Sequence, residues 1–188
     1  MSKRAKRQSA LGRQKAVDWG KRRIYLIVCE GETEKRYFDT MRGHPDIQIH
    51  AVHVRQAKHP QRERVIRTAQ EAERSNYAEI WAVFDTDGED VAVLCEKARQ
   101  DGIRTAASTP TFEAWLLLHL TDQRAALMSG AKAEKALKAL LPNWGKGRTR
   151  FEDFADGLQD ALERAERLPP GTDPSTGVHR LVRAILRG

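Results

Sequence analysis

Two short acidic motifs carry the residue types that metal-assisted phosphate chemistry requires. Glu30-Gly31-x-x-Glu34 follows one apolar run of the chain, and Asp85-x-Asp87 follows another. In an extended segment, side chains two residues apart point the same way, so Asp85 and Asp87 can present oxygens to one hard cation. Mg²⁺ and Mn²⁺ accept few carboxylates and complete their shells with water and substrate phosphate. The spacing predicts that Asp85 and Asp87 hold such a metal, and that Glu30 joins them if the first and third strands are neighbours in the sheet.

Several of these acids also have a purely structural interpretation that the sequence leaves open. An Asp-x-Asp-Gly segment after a strand is often only a turn. Glu34 and Glu113 fall in the first turns of predicted helices, where the helix dipole favours an acid. Glu113 is alternatively an outer ligand of the same site. His119, on an apolar predicted helix, is interpreted as a core group or an outer ligand rather than as a base.

The elements that must position these acids alternate between strand and helix. Apolar, β-branched runs predict four strands, at residues 24–29, 47–54, 79–84 and 103–107. Helical spacing lies between them, and a β-α-β-α pattern calls for a parallel sheet. The predicted fold class is therefore α/β, Rossmann-like, with a mostly parallel four-stranded sheet flanked by helices. Ligands of such sheets bind outside the carboxyl ends of the strands, where the two acidic motifs fall.

The remainder of the chain is predicted to be helical. Apolar periodicity indicates helices over residues 110–120, 131–141, 151–168 and 175–186. We therefore divide the chain into an α/β core at 24–120 and a helical C-terminal extension at 121–188 that packs on this core. Residues 1–23 precede the first strand and are predicted to be a disordered arm.

The charge of the chain is concentrated in that arm. The sequence holds 33 Lys and Arg against 26 Asp and Glu, a formal net charge of +7. Residues 1–23 contain nine Lys and Arg and one acid, which is +8, so the other 165 residues carry −1. Such a basic block is typical of an arm that binds nucleic acid, and equally of a tail that only adds solubility.

Further basic residues follow the second predicted strand and the loop around Trp144. We predict that they contact the nucleic-acid backbone, and the alternative is a solvated surface. They are Arg55, Lys58, Arg62, Arg64, Lys146 and Arg148.

The composition excludes several other classes of protein. Charged residues make up 31% of the chain and the mean hydropathy is −0.64. No apolar run approaches the ~20 residues that cross a bilayer, and no secretory signal pattern is present. Two cysteines outside any ligand-like spacing argue against a disulfide framework or a structural zinc site. We expect a cytoplasmic protein without a membrane partner.

Four stretches of the sequence carry a family resemblance: LIVCEGETE at 26–34, WAVFDTD at 81–87, STPTFEAWLLLH at 108–119 and DPSTGVHRLV at 173–182. They resemble the RloB family, a group associated with phage defence, and the acidic motifs within them resemble the Toprim signature. The resemblance implies a Toprim fold and a Mg²⁺- or Mn²⁺-dependent nuclease that acts in abortive infection. The alternative is a non-catalytic nucleic-acid-binding or sensor subunit that works with a partner ATPase.

The resemblance also implies roles for individual residues. Glu30 matches the Toprim glutamate that serves as general acid and base, and Asp85 and Asp87 match the metal-binding pair. Glu34 stands where the Glu-Gly-x-x-Asp form has an aspartate, which keeps the charge and lengthens the reach. We expect Glu34 to be a second catalytic residue that orients the site.

Overall fold

The structure is a computed structural model that describes residues 24–187. The predicted arm at 1–23 lies outside the described residues. Within them, no helix is both long and apolar enough to cross a membrane.

A five-stranded sheet forms the centre of the molecule. Its strands are β1 (Ile24–Cys29), β2 (Ala51–Gln56), β3 (Glu79–Asp85), β4 (Arg104–Thr109) and β5 (Ser175–Thr176). They lie in the order β2-β1-β3-β4-β5, and the first four are parallel. The prediction of a mostly parallel α/β sheet is confirmed. The prediction of four strands is incomplete, because β5 pairs antiparallel to the end of β4. The two residues of β5 fall at the start of the helix predicted over 175–186.

Seven α-helices flank the sheet. They are α1 (Glu32–Met41), α2 (Arg62–Gln70), α3 (Ala92–Gln100), α4 (Glu113–Leu120), α5 (Gly130–Leu140), α6 (Leu158–Glu166) and α7 (Val178–Ile185). The single helix predicted over 151–168 is wrong in its first part, where two 3₁₀ turns at Phe151–Asp153 and Ala155–Gly157 precede α6. Another 3₁₀ turn, Lys146–Arg148, packs against α1.

The two faces of the sheet are covered by different helices. On one face, Leu26 and Phe84 pack in an apolar cluster with Val65 of α2 and Ala98 of α3. On the other face, a larger cluster extends from Tyr25 of β1 to residues of α1 and of α4 to α7. β1 and β3 are therefore buried on both faces, as their continuous apolar sequences predict. The predicted C-terminal extension shares the larger cluster with the predicted core.

The strand order creates a switch point between β1 and β3. Chain connections run from β1 outward to β2 on one side and from β3 outward to β4 on the other. In doubly wound sheets of this order, the crevice outside the carboxyl ends of the two central strands is the usual place for a ligand. Glu30 and Asp85 stand at those two ends.

Candidate active site

Glu30 joins the ends of β1 and β3. Its carboxylate accepts the backbone N–H of Asp85 at 2.9 Å, and its own N–H donates to the carbonyl of Val83 at 3.0 Å. The prediction that Glu30 meets Asp85 depends on β1 and β3 being neighbours, and the two strands do pair. One oxygen of Glu30 is engaged by the backbone.

Asp85 connects the sheet to the first turn of α4. Its carboxylate accepts the backbone N–H of Phe112 at 2.8 Å, directly before Glu113 begins the helix. Every residue of α4 from Glu113 to His119 is buried, and Glu113 itself is only 2% exposed. A carboxylate on a helix that is apolar all round is the sequence signal that Glu113 belongs to a site rather than to a solvated helix end.

Glu34 approaches from the first turn of α1. It is 4% exposed, and its carboxylate accepts the N–H of Gly31 at 3.3 Å. A Cβ at position 31 would lie 2.8 Å from the second oxygen of Glu34, so a larger residue here would displace this carboxylate. We call Glu30, Glu34, Asp85 and Glu113 the acidic cluster.

Glu30, Glu34 and Asp85 have raised pKa values, chiefly because they are buried. Burial, followed by the charges of Glu113 and Glu30, raises the pKa of Glu34 to about 7. Burial, followed by the charges of Glu34, Glu113 and Glu30, raises the pKa of Asp85 well above its ordinary value. Burial also raises the pKa of Glu30, against the hydrogen bond from Asp85 that lowers it. Near neutral pH, Glu34 therefore exchanges a proton that an ordinary glutamate would already have lost.

Lys146 brings one positive charge to the acidic cluster. Its ammonium lies 3.5 Å from Glu113 and 4.0 Å from Glu134 on α5. Burial acts to lower the pKa of this ammonium, but the charges of Glu113, Glu134 and Asp85 raise it overall. The sequence predicts a nucleic-acid contact for Lys146 but does not connect it with these acids, since the residues lie far apart along the chain.

Asp87 does not face the same way as Asp85, so this part of the geometric argument is wrong. Strand geometry ends at Asp85, and Asp87 takes a left-handed conformation with φ of 52°. Its side chain is 64% exposed and lies 3.5 Å from the guanidinium of Arg62. The turn interpretation of the Asp-x-Asp-Gly segment therefore describes Asp87, whereas Asp85 lies in the acidic cluster.

The predicted nucleic-acid contacts are distributed over several surfaces. Arg62 pairs with Glu89 at 2.8 Å as well as with Asp87, and Arg55 donates to the hydroxyl of Tyr77 at 3.2 Å. Arg64 lines a separate cavity of about 380 Å³ between α2 and α3. Lys58 and Arg148 are exposed. Of the six, the structure brings Lys146 into contact with the acidic cluster, and Arg62 beside it.

His119 lies in the apolar core on the far part of α4. Its Nδ1 is 2.8 Å from the carbonyl of Phe154, so this nitrogen carries the proton and donates. Its Nε2 is 3.2 Å from the hydroxyl of Tyr37. Burial lowers the pKa of His119 to about 4. Because both ring nitrogens have partners inside the core, His119 takes no part in the function proposed below.

The acidic cluster suits a hard cation by its chemistry but not by its spacing in this structure. Four carboxylates beside one lysine supply the oxygen ligands that Mg²⁺ and Mn²⁺ prefer. Among residues 24–187, however, no three His, Cys, Asp or Glu side chains stand in positions that could hold a metal ion. Backbone N–H groups engage one oxygen of Glu30 and one of Asp85. Metal binding would therefore require these side chains to turn.

Comparison with known proteins identifies one family. A family model described as RloB-like protein matches residues 25–185, almost the whole of the described chain. No curated protein matches the chain. No solved structure matches it either.

Proposed function

The chain belongs to the RloB-like family, and from this premise we propose that it is a Mg²⁺- or Mn²⁺-dependent nuclease that acts in anti-phage defence. The observation that carries the proposal is the acidic cluster at the β1–β3 switch point. Four carboxylates converge there, from the ends of β1 and β3 and from the first turns of α1 and α4, and the pKa of Glu34 is raised to about 7. Strongly shifted carboxyl groups in a crevice are typical of functional sites.

The residues that would hold the metal are Asp85, Glu30 and Glu113, after their side chains have turned from their present hydrogen bonds. When bound, the metal supplies charge neutralisation at the phosphate and activation of an attacking water. Asp87, which the resemblance pairs with Asp85, could join only by leaving Arg62.

Glu34 transfers the proton in the proposed reaction, and Lys146 contacts the phosphate. A carboxyl group with a pKa of about 7 both accepts and donates a proton near neutral pH, which suits a general acid and base. The ammonium of Lys146 is positioned to contact a phosphate oxygen next to Glu113. Arg62 and the exposed Lys58 then contact phosphates further along the nucleic-acid strand.

One observation favours the second candidate, a non-catalytic nucleic-acid-binding or sensor subunit that works with a partner ATPase. The carboxylates of the described chain are not arranged as a three-ligand metal site. In this alternative the raised pKa values only reflect the burial of the acidic cluster, and Lys146 only offsets part of its charge. The basic residues near the cluster then bind nucleic acid without cleavage.

Calorimetric titration with Mg²⁺ and Mn²⁺ tests the proposal without relying on turnover. We expect the wild type to bind Mn²⁺ at pH 7 and to release a proton, because the charge of the bound cation lowers the pKa of the neighbouring Glu34 from about 7. Asp85→Asn and Glu113→Gln should each weaken binding at least tenfold. Glu32→Gln, a change of an exposed acid in the same turn as Glu34, should leave binding within twofold.

Cleavage assays then separate the two candidate functions. Duplex DNA, single-stranded DNA and transfer RNA are incubated with each metal and with EDTA. The nuclease proposal expects metal-dependent cleavage of at least one substrate and a loss of about a hundredfold in Asp85→Asn. Nucleic-acid binding with no metal binding, and with wild type and Asp85→Asn equally inert on every substrate, would establish the non-catalytic alternative instead.

A further inference from the structure

A cavity of about 910 Å³ lies beside the free edge of β4, on the far side of that strand from β3. Helix α3 forms one wall, and residues from Glu166 to Ala184 form the opposite wall. The turn that contains Thr86, Gly88 and Glu89, directly after the acidic cluster, closes one end. Its size is that of a site for a small organic ligand.

The base of the cavity combines apolar side chains with open backbone. Ile103, Leu168 and Pro170 line it. β5 pairs only with Ser108 and Thr109, and the N–H of Gly177 donates to the carbonyl of Ala107. Since alternate residues of a strand direct their backbone groups to the same side, the N–H and C=O of Thr105 point to this open edge. They can therefore pair with the polar edge of a flat ring that rests on the apolar wall.

The carboxylates of the cavity wall already have partners. Arg99 contacts Glu96 with two nitrogens, each at 2.8 Å. The remaining three interact as follows: Glu166 with Arg183 at 3.0 Å, Glu89 with Arg62 at 2.8 Å, and Asp90 with the N–H of Ala92 at 2.8 Å. The charges of Glu89, Glu96 and Glu166 are therefore paired with arginines, and Asp90 is the one of these four acids whose partner is neutral.

Arg180 and His179, from the first turn of α7, differ from those neighbours. No carboxylate of residues 24–187 lies within 4 Å of the Arg180 guanidinium, which is exposed at the cavity. His179 donates its Nδ1–H to the carbonyl of Thr176 at 2.8 Å, so its Nε2 keeps a lone pair that has no partner within the same residues. The cavity thus offers one uncompensated cation beside a neutral acceptor.

We propose that this cavity binds a nucleoside phosphate. Arg180 takes the phosphate, Nε2 of His179 accepts from a sugar hydroxyl, and the base lies on Ile103 and Leu168 with its polar edge towards Thr105. The wall shared with the turn after Asp85 allows two sources of the ligand. It is either a free nucleotide or one nucleotide unit of the nucleic acid held at the acidic cluster, and the second source rests on the proposed function.

Calorimetry in EDTA tests this proposal independently of any metal at the acidic cluster. The full-length protein is titrated with 5′-AMP, with adenosine and with a single-stranded hexanucleotide. We expect Arg180→Gln to weaken binding of the phosphorylated ligand at least tenfold and to bind AMP no better than the wild type binds adenosine. The matched control is Arg187→Gln, an exposed arginine beyond α7 that does not line the cavity, which should stay within twofold.

Cys95 supplies a second readout of occupancy. It lines the cavity, whereas Cys29, the other cysteine of the chain, is 0% exposed. Bound ligand should slow alkylation of Cys95 by N-ethylmaleimide in the wild type and not in Arg180→Gln.

The outcomes distinguish the two sources of the ligand. Binding and protection by AMP support a site for a free nucleotide, and binding and protection by the hexanucleotide alone support a substrate subsite. The proposal is overturned if neither ligand binds or protects at millimolar concentration, or if Arg180→Gln behaves as the wild type. Because no metal is present, these results stand whether or not the protein cleaves nucleic acid.

Discussion

The acidic cluster concentrates like charge in a place where charge is costly. Glu34 and Glu113 are 4% and 2% exposed, and each faces other carboxylates with one ammonium, that of Lys146, nearby. Folding gains nothing from this arrangement, since buried like charges oppose ionisation and weaken the native state. Features that weaken a fold are found mainly at functional sites. The cost of the acidic cluster therefore supports the proposal that it binds a cation.

Glu34 should contribute stability at low pH that is lost as pH rises. Its pKa is about 7 in the folded protein against an ordinary 4.5, so the native state binds more protons than the unfolded chain between these values. The contribution of Glu34 to the unfolding free energy should therefore decrease through this window, by an amount that reaches about 3 kcal/mol. Glu34→Gln should remove this contribution, whereas the titrations of Asp85, Glu30 and His119 remain in both proteins. Urea unfolding in EDTA at pH 5, 6, 7 and 8 measures both slopes.

Glu32→Gln is the control for this titration. Glu32 lies two residues away in the same helical turn, but it is exposed and pairs with Arg36. Its replacement should leave a pH slope parallel to that of the wild type. Parallel slopes for wild type and Glu34→Gln would show instead that Glu34 is ionised in the native state.

At the scale of elements, the sequence was most informative where burial is continuous. β1 has the predicted bounds, and β3 extends only one residue beyond its prediction, because strands buried on both faces leave an unbroken apolar run. The parallel order of strands then follows from the alternation with helices. This order also places Glu30 and Asp85 at the same edge of the sheet. These two of the four carboxylates could therefore be predicted from the sequence to lie together.

The other half depends on contacts between residues that are distant in sequence. β5 has two residues and is defined by its pairing with β4, so it is too short for its sequence to show a strand pattern. The turn at Lys146–Arg148 reaches the cluster by packing on α1. The position of Asp87 depends on a single left-handed residue that breaks the strand pattern. Such features follow from tertiary packing, which overrides local pattern.

The contact between α4 and the turn before α6 should be the least tolerant in the molecule. A Cβ at Gly157 would lie 2.0 Å from the carbonyl oxygen of His119, and backbone cannot move aside as a flexible side chain does. We expect Gly157→Ala to lower the unfolding free energy by about 3 kcal/mol, measured by urea denaturation. Gly43→Ala, whose Cβ would meet its nearest atom at 3.7 Å, should cost less than about 1 kcal/mol. Equal costs for the two variants would contradict the packing described for α4.

At the scale of the whole molecule, charge is divided between two tasks. Residues 1–23 carry +8 and the rest of the chain carries −1, so the net charge of +7 describes neither part. Basic groups attract the phosphate backbone, whereas the acids gathered at the β1–β3 edge would repel it unless a cation or bound protons intervene. In the proposed function, attraction and chemistry therefore belong to different parts of the sequence, and they should be separable by deletion.

Deleting residues 1–23 should weaken nucleic-acid binding and leave the chemistry in place. The deletion removes nine Lys and Arg, and each phosphate that the shortened chain no longer neutralises lowers the slope of log K against log salt by about 0.9 for duplex DNA. Fluorescence anisotropy from 50 to 300 mM salt should show lower affinity and a slope reduced by at least 3. Cleavage with Mn²⁺ at saturating substrate should remain within threefold of the full-length chain. An unchanged salt slope would identify the arm as a solubilising tail, and loss of cleavage at saturation would show that binding and chemistry share the arm.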